Sequence, residues 1–243
     1  MKPNHFIFRL VLILGLTAGA ASIVQLYHAA HAPYHHAQAS ADGTGKFYMG
    51  REIAGMISGH GAIEWLERAG REEAEKPRVV IDALGLRPDD VVEDIGAGSG
   101  YFSFRIAPLV PQGRVYAVEI GPEMLEFLEQ KKKELGLNNV IVQPGQIDDA
   151  GLARGSIDIA FLVDAYHEFS HPREMLASIV RALKPGGRVM LVEYRGEDPG
   201  LPIKPLHKMT VEQLKKEMAA AGLKWLNTNN ELPSQHISTF IKQ

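Results

Sequence analysis

Three groups of residues in this chain have the types and spacing to do chemistry. The first lies between Val91 and Tyr101, VVEDIGAGSGY, where Gly96, Gly98 and Gly100 follow closely on Val91 and Val92. Paired valines suit a strand buried on both faces, and glycines without a Cβ permit both a sharp turn and close approach of a ligand to backbone. Tyr101 to Ala107 reads as the apolar side of a helix with Pro108 near its end, which completes a strand, loop and helix unit of the kind that holds a nucleotide-like ligand. The spacing is G-x-G-x-G, whereas a dinucleotide fingerprint would place its third glycine where Tyr101 stands. Asp94, two residues before the first glycine, puts a carboxylate where an ammonium group is favoured over a pyrophosphate, so the ligand is expected to be cationic.

The second group is Glu119, the acid that closes the alternating apolar strand Arg114 to Glu119. A carboxylate at that strand end, about twenty residues beyond the loop, is placed to accept both hydroxyls of a ribose, and charged hydrogen bonds of that kind contribute about 1.5 to 3 kcal/mol. The third is Asp164-Ala165-Tyr166-His167-Glu168, directly after the nearly continuous apolar run Ser156 to Asp164, which reads as a central parallel strand. His167 is a candidate base because an imidazole titrates near neutral pH, and it is equally compatible with a histidine that packs or caps the following helix. His167, Glu168 and His171 match no strong metal spacing, so no metal is expected.

The elements that must position these groups follow in order. Val140 to Val142 is a third strand, Gly121-Pro122-Glu123 starts a helix with Met124, Leu125 and Leu128 on one face, and Pro172 to Leu183 is another helix. Lys184 to Gly187 is a turn, Arg188 to Tyr194 a fifth strand, and Thr210 to Ala221 a helix whose Thr210 and Gln213 have capping-box spacing. Leu223 to Asn227 and His236 to Ile241 are two last strands. Before the first strand, Arg51 to Ile57, Ala62 to Ala69 and Arg71 to Leu84 have helical spacing, with Gly59 and Gly61 separating the first from the second.

With these segments in order, the chain resembles the class I S-adenosylmethionine-dependent methyltransferases from about Leu84 to Gln243. Their first motif is an acid followed by G-x-G-x-G, and LKPGGRVMLVEY is their usual approach to the fifth strand. The resemblance implies an α/β fold, a doubly wound, seven-stranded, mostly parallel Rossmann-like sheet with a terminal antiparallel strand, and S-adenosylmethionine as cofactor. Asp94, Gly96, Gly98, Gly100, Glu119 and Asp164 are then expected to hold that cofactor. Gln146, Asp148 and Asp149 are candidates for the adenine amino group, and Asp148 is the choice among them. Tyr166 and His167 would face the donor's methyl group and carry the acceptor chemistry. The donor's sulfonium makes the methyl electrophilic, so catalysis rests on holding the acceptor in line, and a base is needed only if the acceptor loses a proton. The Asn/Asp-Pro-Pro-Tyr/Phe pattern of enzymes that methylate nucleic-acid bases is missing after the fourth strand. A small-molecule, lipid or protein acceptor is therefore expected. The other readings are a noncatalytic S-adenosylmethionine-binding domain and a nicotinamide oxidoreductase, which would share the loop and Glu119.

Composition agrees with a partner other than nucleic acid: among 243 residues the 26 basic ones are scattered and the net charge is -3. The absence of cysteine excludes disulfides, a cysteine zinc site and a lipidated-cysteine anchor. Lys2 and Arg9 precede an uncharged run, residues 10–26, followed by small-residue sites such as Ala30-His31-Ala32, the pattern of an export signal or N-terminal membrane anchor. No Lys or Arg then occurs until Lys46, so the positive-inside rule sends the folded part out of the cytoplasm, into the cell envelope or beyond. His28 to Thr44, with His28, His31, His35 and His36, reads as a polar linker. The expected organisation is a leader and linker over 1–40, a helical cap over 41–84 and the catalytic domain over 85–243.

Overall fold

The computed structural model describes residues 33–56 and 61–243. The chain divides into two units, 1–35 and 36–243. The second contains every element named below except the start of a short strand, β1 (Tyr34–His36). The apolar run 10–26, His28 and His31 lie outside the described residues, among which no helix is long and apolar enough to cross a membrane.

The stretch expected as linker end and helix is an antiparallel hairpin, β2 (Gly43–Tyr48) with β3 (Arg51–Ala54). Met49 and Gly50 turn it with φ of 48° and 99°, the pair of positive values that matches the twist of a tight hairpin. Cross-strand pairing overrides the helical spacing of Arg51 to Ile57, and Ile53 and Ala54 become buried strand residues. Helix α1 (Gly61–Leu66) follows, then α2 (Arg71–Glu75) and α3 (Pro77–Leu84) in place of one helix from Arg71 to Leu84. The break has a local cause: Pro77 lacks an N–H and disfavours helical backbone in the residue before it, and Lys76 takes φ 45° instead.

Seven strands form the main sheet: β4 (Val91–Ile95), β5 (Arg114–Glu119), β6 (Val140–Pro144), β7 (Ile157–Val163), β8 (Leu183–Tyr194), β9 (Leu223–Asn229) and β10 (Gln235–Lys242). Their order is β6-β5-β4-β7-β8-β10-β9, parallel except for β10, which runs antiparallel to both neighbours. The expected Lys184 to Gly187 turn is absorbed into β8 as a bulge, because Ile157 pairs with Leu183 while Ile159 pairs with Arg188. Helices α4 (Ser103–Ile106), α5 (Pro122–Leu135), α6 (Pro172–Ala182) and α7 (Val211–Ala220) complete the fold, and Thr210 caps α7 by accepting the Gln213 N–H at 3.1 Å. Only half of the capping box forms: the Gln213 side chain reaches Glu217 at 2.7 Å instead.

Two apolar layers sandwich the sheet. Val80, Leu84, Phe102, Ile106 and Leu128 from α3 to α5 cover one side with Val92 and Phe161, and Leu176, Ile179, Leu214 and Met218 from α6 and α7 cover the other with Ile95 and Leu162. Burying each such side chain contributes about 1.5 to 3 kcal/mol. Because successive strand residues point to opposite faces, Glu93 and Asp94 diverge, Asp94 toward Ser103 of α4 and Glu93 toward the layer that contains α6.

Candidate active site

The parallel strands end together, and their carboxyl ends carry the residues that the sequence singles out. Gly96, Gly98 and Gly100 have φ of 73°, 55° and 77°, where side chains are strained. Close contacts reinforce the requirement: a Cβ on Gly96 would lie 2.9 Å from the Ala165 Cβ, and one on Gly100 would run into the Phe104 ring. Asp94 is buried and accepts the Ser103 hydroxyl at 2.5 Å. Burial pushes its carboxyl up to about 6, the bond from Ser103 opposes the rise, and the charge of Glu119 adds to it. An ammonium group at this strand end would compensate that buried negative charge.

Glu119 closes β5 beside the loop. Its Oε2 accepts the Gly98 N–H at 3.0 Å, and its Oε1 accepts Ile120 N–H at 2.6 Å and Gly121 N–H at 3.1 Å. A carboxylate has about four lone-pair directions, so these bonds orient it and leave capacity for a hydroxyl. After β6, Asp149 is committed to Ser178 at 2.7 Å and to the Gly151 N–H and Arg181, each at 2.8 Å, which together hold its carboxyl below the usual range, while Gln146 and Asp148 remain exposed at the sheet edge.

Asp164 ends β7 in a strained conformation, φ 48°, with one oxygen bonded by Gln235 Nε2 at 2.6 Å and Oδ1 buried without a hydrogen-bond partner. Burial and then the neighbouring charge of Glu193 hold its carboxyl well above the usual range. Strain and an orphaned buried oxygen coincide at this strand end, where the sequence leads one to expect a cofactor contact.

Tyr166 and His167 lie in a 3-10 turn and are both buried. Tyr166, expected to face the donor's methyl group, is packed inside the protein. Its ring is fully enclosed, its hydroxyl donates to Glu217 Oε2 at 2.5 Å, and Arg51 grips the same carboxylate at 2.7 Å. Tyr166 thus ties the end of β7 to α7 and to β3. His167 Nδ1 lies 2.6 Å from Glu193 Oε2, while Glu193 Oε1 accepts the Tyr166 N–H at 3.0 Å. A carboxylate accepts, so Nδ1 carries the proton and Nε2 offers its lone pair, the tautomer a base requires. That lone pair faces His207 Nδ1 at 3.1 Å, and His171 stands apart, bonded to Ser170. Sequence reasoning did not single out Glu193, His207, Glu217 or Arg51.

The N-terminal helices close over the loop. Leu66 stands where a Cβ on Gly98 would project, 2.7 Å away, Ser99 donates to Glu67 at 2.5 Å, and Tyr101 donates to Glu72 at 2.6 Å. At the opposite ends of the strands, a polar hollow between Arg87, Asp90, Asp158 and Lys184 is occupied by their own ion pairs, Arg87 with Asp90 and Lys184 with Asp158, each at 2.7 Å.

This fold and loop are those of the class I S-adenosylmethionine-dependent methyltransferases. Residues 86–239, more than half of the chain, match a family model described as a methyltransferase domain, and the chain belongs to that family. It is 33% identical over 130 residues to the uncharacterized methyltransferase YcgJ of Bacillus subtilis, a match covering 53% of this chain and 51% of that one. It is 28% identical over 128 residues to the ubiquinone/menaquinone biosynthesis C-methyltransferase UbiE of Ectopseudomonas mendocina, covering 52% and 49%. The chain therefore spans about half the length of these curated relatives. An S-adenosylmethionine-dependent methyltransferase structure from Aquifex aeolicus aligns over 77% of this chain and 100% of its own with a TM-score of 0.72 at 22% identity, a likeness of fold. S-adenosylmethionine is the cofactor this membership carries, and the buried Asp94 beside a loop joined to Glu119 fits its ammonium and ribose. Family membership also sets the nicotinamide reading aside.

Proposed function

We propose that this protein transfers the methyl group of S-adenosylmethionine to a small-molecule, lipid or protein acceptor rather than to nucleic acid. One observation carries the reading: the 3.0 Å bond from Gly98 to Glu119 joins the glycine loop to the acid of the next strand, so one cradle presents a carboxylate for the ammonium, Asp94, and another for the ribose, Glu119. When bound, the donor supplies an electrophilic methyl. The chain's own residues hold donor and acceptor in line, and His167, oriented by Glu193, takes the acceptor's proton where one must leave. Asp148 is assigned to the adenine amino group, and Asp164 joins Asp94 and Glu119 as a cofactor contact. The scattered basic residues and the missing base-methylation pattern support a partner other than nucleic acid.

The test is the purified full chain with methyl-labelled donor and an extract of its own cell. Label in one size fraction supports transfer and identifies the acceptor class. Donor binding without transfer favours a noncatalytic binding domain, and no donor binding defeats both readings. On the charge asymmetry around residues 10–26 we also place the folded part in the cell envelope, although S-adenosylmethionine is made in the cytoplasm. A reporter active on one side of the membrane, fused after Gln243, tests this, and a cytoplasmic signal overturns it.

A further inference from the structure

His167, Glu168 and His207 converge although His207 lies 40 positions beyond His167. His167 Nε2 is 3.1 Å from His207 Nδ1 and 3.8 Å from Glu168 Oε1, and His207 Nδ1 is 3.3 Å from the same oxygen. A tetrahedral zinc ion with bonds of about 2.0 to 2.1 Å sets its ligands about 3.3 to 3.4 Å apart, close to the triangle these atoms make. We propose that His167 Nε2, His207 Nδ1 and Glu168 Oε1 form a binding site for a divalent transition metal of the zinc class.

Three further observations support it. Glu193 Oε2 lies 2.6 Å from His167 Nδ1, the outer carboxylate contact that fixes the tautomer of a metal-bound histidine and turns its lone pair to the ion. Secondly, the three atoms come from two separate turns, His167 and Glu168 from one and His207 from another, yet all lie within 3.8 Å of one another. Thirdly, the two imidazoles are almost fully enclosed, at 3% and 7% side-chain exposure, while Glu168 at 17% opens one edge of the triangle to solvent and gives an ion a way in. Two imidazoles and a carboxylate select a zinc-class ion over magnesium or calcium, which prefer all-oxygen sets. Three protein ligands leave a position for water or for a heteroatom of an acceptor. An ion here would use the same His167 Nε2 lone pair that the proton-acceptor role uses, so the two roles exclude each other, while donor binding at Asp94 and Glu119 is read separately from zinc binding.

The test is calorimetric titration of zinc into the metal-stripped full chain carrying His28→Ala, His31→Ala, His35→Ala and His36→Ala, so that the N-terminal histidines contribute nothing. One equivalent should bind, and cobalt in its place should give the intense visible bands of four-coordinate geometry. Adding Glu193→Gln should weaken zinc roughly ten- to hundred-fold, as loss of an outer partner does, and His207→Ala or Glu168→Gln should weaken it more. Absence of binding in the four-alanine chain overturns the proposal, and so does an affinity unchanged by both His207→Ala and Glu168→Gln. If circular dichroism shows His207→Ala unfolded, the partly exposed Glu168→Gln decides.

Discussion

Tyr166 and Glu217, 51 positions apart, share a 2.5 Å hydrogen bond in which the phenol donates to a carboxylate with no exposed surface. Arg51 supplies the countercharge to that carboxylate, 2.7 Å away and 11% exposed. Tyr166→Phe should therefore lower stability by about 1.5 to 3 kcal/mol, the worth of a charged hydrogen bond. Arg51→Ala should cost more, about 3 to 5 kcal/mol, because it strands a buried charge. Urea denaturation measures both. A Tyr166→Phe variant of unchanged stability whose turnover falls a hundredfold would return the phenol to the acceptor site.

Glu119→Ala should weaken S-adenosylmethionine roughly ten- to a hundred-fold, since it removes charged contacts to the ribose and also releases the Gly98, Ile120 and Gly121 N–H groups. Titration calorimetry on the folded variant checks this. Unchanged affinity refutes the assignment of Glu119.

His167→Ala should reduce single-turnover rate at least about a hundredfold for an acceptor that loses a proton, with donor affinity intact. The comparison needs rate against pH for parent and variant. A parent-like rate and profile would leave His167 a packing residue.

Glu93 gives a pH prediction. Neither carboxylate oxygen has a hydrogen-bond partner, and burial followed by the charge of Asp149 raises its carboxyl from 4.5 to about 8. The folded chain thus holds a proton that the unfolded chain releases above 4.5. Its contribution to stability is full below that value and declines as pH rises toward 8. Glu93→Gln, neutral throughout, should match the parent near pH 4.5 and exceed it at pH 8 and above by a few kcal/mol, since each tenfold change in proton affinity is worth about 1.4 kcal/mol. Denaturation midpoints of the two chains that run parallel across this range would remove Glu93 as the titrating group.

The sheet was legible because its signals are local. Val91 to Gly100 declares a strand and a turn that only glycine enters easily, and the apolar run ending at Asp164 has the length and continuity of a central strand. The hairpin was not, because Ile53 and Ala54 are spaced as a helix would have them and become a strand only by pairing with β2. The surroundings of His167 were illegible for a related reason. Glu193, His207 and Arg51 reach it from 26, 40 and 116 positions away, and no spacing rule spans such separations. Lys76-Pro77 is the opposite case, a break written plainly in the sequence and masked there by the apolar spacing on either side of it.

The grip of Arg51 on Glu217 bears on how this protein can be cut and recombined. The family match begins at residue 86, yet the arginine that pairs with the carboxylate inside α7 comes from a hairpin some thirty residues upstream of that border, and Lys46 of the same hairpin donates to the Ser170 carbonyl at 2.6 Å. A chimera that exchanged 86–239 for the matching part of a relative would replace the helix that carries Glu217 while keeping Arg51. The border of the family match thus runs through a buried ion pair and through the contacts that join the hairpin to the C-terminal half.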